Sequence, residues 1–293
     1  VASRGLGDVY KRQFAKRANE LGLGPCKAHG SLNSLINAKD IDALWILSPN
    51  YLRIETMTAI NKAVKAGKML RGIACEKPLA RNLAEAKEVV RLANDAKVAT
   101  GYLENQVFST AVQRGKEIIR RRAVPLTGRP YLARAAEEHS GPHMPWFWQG
   151  KKQGGGVLSD MMCHSVEVAR YMLTGPDETR DVLKVKSANA TIANLKWTQP
   201  HYVRKLKREM GREVDYGRRP AEDFARGTLV LEGPEGNEVM IETTTSWAYV
   251  GAGLRIQLEM LGPEYSMEFS SLNTGLKVFM SRAVKGDAGE DLI

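Results

Sequence analysis

Two polar residues after a run of glycines have the types and the spacing needed for proton transfer. Asp160 and His164 follow Gly154-Gly155-Gly156 and are four residues apart, so on a helix they would share one face. A histidine can take the proton of a hydroxyl group because its ordinary pKa is close to the working pH. A neighbouring aspartate would orient the ring and raise its basicity. The alternative interpretation is an ion pair on a helix surface after a flexible turn.

A second polar cluster, Glu76-Lys77-Pro78, directly follows the strand-like segment 69–75. Ligands of open α/β sheets bind at the carboxyl ends of the strands. A lysine there can hydrogen-bond a substrate hydroxyl, and its charge lowers the cost of forming an alkoxide. Taken alone, the tripeptide is explained better by a surface lysine in a turn.

The elements that must position these residues differ between the two parts of the chain. In the first part, segments with helical periodicity alternate with short apolar runs that are typical of strands. The predicted helices are 14–23, 31–38, 54–66, 82–96 and 110–122, and the predicted strands are 41–47, 69–75 and 98–102. This alternation predicts an α/β fold with a parallel sheet and crossover helices. The apolar run 41–47 further predicts a strand buried on both faces of that sheet.

The sequence changes in texture after residue 123. Proline and glycine residues between 125 and 130 mark a linker. The later segments 228–231, 238–246 and 255–261 alternate like antiparallel strands, with turn residues at 233–237. We therefore expect an α+β domain with a mostly antiparallel sheet to follow the parallel one.

Composition argues against several classes of protein. The 293 residues suffice for two domains, and no apolar stretch reaches the roughly 18 residues of a membrane-spanning helix. Cys26, Cys75 and Cys163 lack any Cys-x-x-Cys pairing, which indicates reduced thiols in the cytoplasm rather than disulfides or zinc, and no metal site is expected. The net charge of +10 includes two basic runs. Neither run carries a nucleic-acid-binding motif, so we interpret both as solvated surface.

Together the two polar clusters resemble those of the Gfo/Idh/MocA oxidoreductase family, in their order, spacing and context. The resemblance runs from about Phe14 to the end of the chain. It implies a Rossmann-like dinucleotide domain with NAD or NADP as cofactor. It also implies a catalytic group made of Lys77, Asp160 and His164, which we expect to converge on one cleft between the domains. It also implies a small polyol as substrate, a homo-oligomer formed through the sheet of the second domain, and neither a nucleic-acid nor a membrane partner.

Further residues match positions that the family uses near its cofactor. Ser48-Pro49-Asn50 resembles a Thr-Pro-Asn turn, and Asn105 lies where the family often contacts nicotinamide. The implied cofactor-binding residues are Ser48, Pro49, Asn50, Glu76, Lys77, Pro78, Asn105 and Trp148. The chain departs from the family pattern at two places: Met162 stands where a glycine is common, and Gln149 replaces the arginine of a Trp-Arg pair.

A dinucleotide fold should open with a strand, a Gly-x-Gly-x-x-Gly turn and a helix. Gly5-Leu6-Gly7 has neither the third glycine nor a preceding apolar strand, and we interpret it as a chance match. Residues 1–13 are expected to be non-native, so that the family pattern begins at the helix 14–23 with the phosphate-binding turn missing. We therefore predict an incomplete dinucleotide-binding domain at 1–123, a substrate and oligomerisation domain at 124–293, and weak NAD(H) binding.

Three functions follow from this interpretation. The leading one is hydride transfer between NAD(P) and a secondary alcohol or carbonyl of a sugar, cyclitol or related polyol. The second is glycoside cleavage through transient oxidation by NAD held in the same fold. The third is a non-catalytic binding protein that retains the fold; the presence of Lys77, Asp160 and His164 argues against it, whereas the missing glycine turn argues for it.

Overall fold

The computed structural model describes residues 2–273, 275–281 and 290–292. The chain divides into two compact units. Unit 1 contains the described residues up to Ser48 together with Leu52–Tyr102. Unit 2 contains Pro49–Tyr51 and the described residues from Leu103 onward. The sequence predicted the domain boundary after residue 123, whereas in the structure the predicted helix 110–122 packs within unit 2, against two of its strands and two of its helices.

Unit 1 alternates helices and strands as predicted. Its elements are α1 (Ala2–Glu20), α2 (Leu32–Ile36), β1 (Ala43–Ile46), α3 (Arg53–Lys65), β2 (Gly72–Glu76), α4 (Leu83–Ala96) and β3 (Ala99–Leu103). The sheet has the order β1-β2-β3, and β1 runs parallel to β2. This Rossmann-like parallel sheet confirms the fold predicted for the first part of the chain.

The helix ends in unit 1 follow from capping side chains. Ser31 accepts a hydrogen bond from the Ser34 backbone N–H at 3.0 Å, and Asn82 does the same for Glu85 at 3.0 Å. Such side chains satisfy backbone donors that the first helical turn leaves open. The first helix differs from its prediction, since α1 already begins at Ala2 and ends at Glu20 rather than spanning 14–23.

The expectation that the run 41–47 is buried on both faces is wrong. Leu44 and Ile46 are buried, whereas Trp45 and Leu47 are 67% and 66% exposed. The reason is that α2, α3 and α4 pack on one face of the three-stranded sheet, where Ile36, Ile60 and Val89 join the strand residues in one core. The other face of β1 has no such cover within the described residues.

Unit 2 is built on a large, mostly antiparallel sheet, as predicted. Its helices are α5 (Thr110–Arg122), α6 (Val124–Thr127), α7 (Gly150–Gln153), α8 (Cys163–Leu173) and α9 (Pro200–Met210). Its strands are β4 (Leu132–Glu138), β5 (Lys184–Ala193), β6 (Phe224–Glu232), β7 (Glu238–Ser246), β8 (Arg255–Gly262), β9 (Tyr265–Ser270), β10 (Gly275–Ser281) and β11 (Glu290–Leu292). The strand order is β11-β10-β9-β8-β4-β7-β6-β5, and β4 pairs parallel with β7.

The two faces of this sheet differ in character. On one face, α5 and α8 contribute Val112, Ile119 and Met172 to a core shared with Ile241 and Met260. The other face is polar: the Arg134 guanidinium contacts the carboxylates of Glu242 at 2.5 Å and Glu259 at 3.1 Å. Throughout the described ranges, no helix has both the length and the apolar character that crossing a membrane requires.

Candidate active site

The glycine run of unit 2 lies against a distant loop. An added Cβ at Gly156 would meet the backbone oxygen of Glu222 at 2.1 Å, so this position has room only for glycine. The Glu222 carboxylate accepts hydrogen bonds from the backbone N–H groups of Gly156 at 2.9 Å and Leu158 at 3.1 Å. The glycine at this position thus permits a close approach of the two backbones, and the hydrogen bonds fix the start of the helical segment that follows.

Asp160 and His164 lie on that helical segment, and both side chains are 5% exposed. The alternative of an ion pair on the helix surface is therefore wrong. Leu158–Met162 forms a π-helical turn before α8 begins at Cys163. Because a π-helix closes its hydrogen bonds over five residues instead of four, the spacing does not stack the two side chains as a regular α-helix would.

The hydrogen-bond partner of His164 is Glu104. The Nδ1 atom of His164 contacts Oε1 of Glu104, which is 6% exposed and sixty residues earlier in the chain. The same carboxylate oxygen accepts the Gln106 backbone N–H at 3.0 Å. A carboxylate only accepts hydrogen bonds, so Nδ1 must carry the proton. In the neutral form of the ring, the other nitrogen, Nε2, is then left with a lone pair.

Asp160 has a different hydrogen-bond donor. The indole Nε1–H of the fully buried Trp247 donates to Oδ2 of Asp160 at 3.2 Å. The sequence argument assigned the orientation of the His164 ring to Asp160, whereas the structure gives that contact to Glu104. Glu104 was missed, although it directly precedes Asn105 at the end of β3.

The carboxyl ends of β1 and β2 in unit 1 carry the predicted strand-end residues. Ser48 lies two residues after β1, and its buried hydroxyl has no partner among the described residues. Glu76 ends β2 and is followed by Lys77 and Pro78, all three half-buried. The position predicted for this tripeptide, at the end of a parallel strand, is confirmed.

Arg53 is a buried cation at the same edge of unit 1, and the sequence argument did not select it. It is 2% exposed. One guanidinium nitrogen donates to the Ile46 carbonyl at 2.6 Å and to the Cys75 thiol at 3.1 Å, while Nε has no partner in the described part of the chain. Burial raises the pKa of the Cys75 thiol, and the nearby guanidinium opposes that shift. Unit 1 thus holds hydrogen-bond donors that its own residues do not use.

The remaining predicted cofactor residues lie in unit 2. Asn50 is buried and donates through Nδ2 to the Gln153 carbonyl at 2.8 Å, and Pro49 precedes it. Asn105 is exposed at the start of a 3-10 turn. Trp148 was expected to contact the cofactor, whereas in the structure its side chain is buried, with 2% of its surface exposed. Its ring packs against other aromatic residues and its indole N–H donates to the Pro142 carbonyl at 3.0 Å.

The two residues that depart from the family pattern both have contacts within unit 2. Gln149 donates to the Pro145 carbonyl at 3.3 Å, and Met162 is buried in the aromatic core of unit 2.

Three side chains around His164 could serve as metal ligands. Ligand atoms of Glu104, Cys163 and His164 lie within 4.8 Å of one another. This donor set could hold a divalent cation only if the cation replaced the Glu104–His164 hydrogen bond.

Comparison with known proteins gives consistent matches over both units. The description "Oxidoreductase family, NAD-binding Rossmann fold" matches residues 2–103, and "GFO/IDH/MocA C-terminal domain" matches residues 112–267. D-xylose dehydrogenase of Paenarthrobacter nicotinovorans is 28% identical over 225 residues, which are 74% of this chain and 50% of that protein. 1,5-Anhydro-D-fructose reductase of Ensifer adhaerens is 32% identical over 161 residues, which are 54% of this chain and 45% of that protein.

A solved structure shares the fold. Levoglucosan dehydrogenase in complex with NADH and levoglucosan superposes with a TM-score of 0.68 at 22% identity, covering 96% of this chain and 68% of the other. The chain spans about half the length of the two curated relatives.

Proposed function

The chain belongs to the Gfo/Idh/MocA oxidoreductase family, and we propose that it takes part in hydride transfer between NAD(P) and a secondary alcohol or carbonyl group of a sugar, cyclitol or related polyol. The observation that carries this proposal is the buried Glu104–His164 pair, which leaves Nε2 of the ring able to accept a proton. The names of the relatives, a xylose dehydrogenase and an anhydrofructose reductase, support a sugar-like substrate.

The residues at the strand ends of unit 1 fit a nicotinamide dinucleotide. Ser48 offers a buried hydroxyl without a partner and Arg53 a buried Nε–H without a partner, while the cofactor offers ribose hydroxyls and phosphate oxygens. Ser48, Glu76 and Lys77 would hold it at the strand ends. Gly5 and Gly7 lie within α1 and so do not form the phosphate-binding turn. We therefore propose weak binding, and calorimetry that gives a dissociation constant of about 1 µM or tighter for NAD(H) would contradict this.

The chemistry divides between the cofactor and the side chains of this chain. NAD(P), when bound, supplies the hydride acceptor. Nε2 of His164 takes the hydroxyl proton as the substrate carbon is oxidised, and the Glu104 carboxylate stabilises the imidazolium that results. The Lys77 ammonium favours the alkoxide character that develops on the substrate oxygen. The Asp160 carboxylate adds negative charge that favours the protonated ring.

The test is the formation of NADH or NADPH with a panel of polyols that includes D-xylose and levoglucosan. His164→Ala and Lys77→Ala should abolish most of the turnover, and the double variant should lose less than the product of the two single losses if both residues act on one substrate. His143→Ala is the matched control, because His143 is an exposed histidine of the same unit. Turnover that survives in His164→Ala would overturn the assignment.

Two alternatives from the sequence are separated by product analysis. Glycoside cleavage without net NADH formation would favour hydrolysis through transient oxidation. Cofactor and sugar binding without any turnover would favour a binding protein. The contact between Glu104 and His164 supports catalysis, because a carboxylate beside the ring stabilises the imidazolium that forms when the ring takes a proton.

We also propose that the polar face of the large sheet forms a homo-oligomer. At the centre of this face, Arg134 already pairs within the chain with Glu242 and Glu259, so burying these three residues against a second copy would leave none of their charges unpaired. Light scattering tests this: Arg134→Glu should shift a dimer or tetramer towards the monomer.

We further propose that the protein lies in a reducing compartment, the cytoplasm, because all three cysteines are free. Fractionation of the source cells tests this proposal.

A further inference from the structure

A cavity of about 280 Å³ lies in unit 2 beside α5. Its inner wall is formed by side chains of the main core, including Ile119, Met172 and Met260, which are each at most 2% exposed. The volume is at the small end of the range for ligand pockets. None of the residues assigned to hydride transfer lines it, so an inference from this cavity is independent of the proposed function.

Two cations of α5 line the cavity, Lys116 and Arg120. They are four residues apart and therefore lie on one side of the helix. The Lys116 ammonium is half-buried, whereas Arg120 is exposed. In the part of the chain that the structure describes, neither residue forms an ion pair with a carboxylate.

The surroundings of Lys116 are rich in positive charge. Its pKa is lowered to about 8, first because burial disfavours the ammonium and then because Arg180, Arg120 and Arg129 repel it, while Glu178 opposes the shift. An anion bound beside Lys116 would relieve this repulsion.

The carboxylates of the cavity do not supply that anion. Glu178 is held by the Arg129 guanidinium through two hydrogen bonds, at 2.8 and 2.6 Å, and by the Gly175 backbone N–H at 2.6 Å. Asp177, the other acidic lining residue, is exposed.

Helix capping accounts for only part of this arrangement. The Lys116 ammonium donates to the Tyr171 carbonyl at 2.5 Å, in the last turn of α8, and lies 3.6 Å from the centre of the Tyr171 ring. A cation at a helix C-terminus is stabilising. That contact uses one of three N–H donors and explains neither Arg120 nor the apolar cavity between the two cations and the core.

We propose that this cavity binds a small organic monocarboxylate, with its apolar part against Ile119, Met172 and Met260 and its carboxylate at Lys116 and Arg120. The combination of a narrow apolar wall with two adjacent cations matches an amphipathic anion. The two methionines favour an aromatic ring as the apolar part.

Benzoate is the probe, and benzamide is its neutral match in shape. Calorimetry or NMR titration of the chain should show benzoate binding roughly tenfold tighter than benzamide, the factor that one charge-assisted hydrogen bond provides. Inorganic phosphate, which has charge but no apolar part, should bind more weakly than benzoate. Equal affinity for benzoate and benzamide would overturn the proposal. Tighter binding of phosphate than of benzoate would also overturn it, because the cavity would then bind anions without using its apolar wall.

Two variants locate the site. Lys116→Met and Arg120→Gln should each weaken benzoate binding about tenfold, whereas Arg122→Gln, on the same helix but outside the cavity lining, should not. Arg120→Gln keeps the test decisive if Lys116→Met impairs folding, because Arg120 is exposed. Identical benzoate affinity in Arg120→Gln and Arg122→Gln would exclude this cavity as the site.

A pH series gives a separate signature. Arg120, Arg129, Arg180 and Glu178, the charged groups that face Lys116, keep their charges between pH 7 and 9. Benzoate affinity should fall over this range as the Lys116 ammonium is lost. It should stay flat in Lys116→Met, and a parallel fall in that variant would contradict the proposal.

Discussion

The side chains proposed for proton transfer in unit 2 have hydrogen-bond partners within that unit, whereas two buried polar groups at the strand ends of unit 1 have none among the described residues. Glu104 holds His164, and Trp247 donates to Asp160. In unit 1, the Ser48 hydroxyl and the Arg53 Nε–H are buried without a partner among the described residues. The difference indicates that the proton-transfer group is organised by the chain itself, while the strand ends hold unused hydrogen-bonding capacity that a ligand can take up.

The largest expected effect concerns the proton-transfer residues of unit 2. His164→Ala should lower kcat for polyol oxidation by roughly 10²–10⁴-fold, the usual contribution of a positioned general base. The binding of NAD(H) should change little, because the base faces the substrate hydroxyl. Steady-state kinetics with calorimetry checks both, and a variant that loses cofactor binding along with its turnover would contradict the assignment.

Glu104→Gln should have a smaller effect, because the amide keeps the size of the side chain but weakens the contact that fixes the ring. We expect kcat to fall roughly 10–100-fold, as for other groups that orient a functional histidine. The Gln106 backbone N–H can still donate to the amide oxygen, so circular dichroism and the melting temperature should stay close to the parent values. Near-normal kcat in this variant would mean that Glu104 serves packing alone.

A third prediction concerns the ion pair between Glu178 and Arg129, which is formed within unit 2 without a ligand. The pKa of Glu178 is lowered to about 2, chiefly by its hydrogen bonds to Arg129. A carboxyl with a depressed folded-state pKa contributes stability that is present above its unfolded value, about 4.3, and lost as pH falls through the folded one. The melting temperature should therefore fall between about pH 5 and pH 2, and Glu178→Gln should flatten this dependence. An equally steep fall in the variant would contradict it.

The smallest effect is expected on the other side, at the strand ends of unit 1. Ser48→Ala removes a buried hydroxyl that has no partner, so unfolding free energy should stay within about 1 kcal/mol of the parent value or rise. The affinity for NAD(H) should fall at the same time. Urea unfolding and calorimetry measure the two quantities. A clear loss of stability, with cofactor affinity unchanged, would show that the hydroxyl serves the fold.

The sequence predicted what short segments determine by themselves. The alternation of helices and strands, the starts of the helices predicted from residues 31 and 82, and the place of Glu76-Lys77-Pro78 at a strand end are all confirmed. Each depends on residues close together in the chain, where periodicity and capping chemistry act directly.

Contacts between distant segments could not be predicted in this way. Glu104 reaches His164 across sixty residues and Trp247 reaches Asp160 across eighty-seven, and no local pattern encodes either distance. The exposure of Trp45 and the burial of Trp148 depend on which helices and strands pack beside them. The spacing of Asp160 and His164 was interpreted for a regular α-helix. The π-helical turn Leu158–Met162 changes the direction of one side chain relative to the other, and the sequence does not show this turn.

The most direct test of the account is the tautomer of His164. Nitrogen-15 NMR of the histidine-labelled chain at about pH 8, with His164→Ala used to assign the signal, distinguishes the two neutral forms of the ring. The hydrogen bond to Glu104 predicts a proton on Nδ1 and a lone pair on Nε2. A proton found on Nε2 would contradict the account, because the ring nitrogen left for the substrate could then not act as the base.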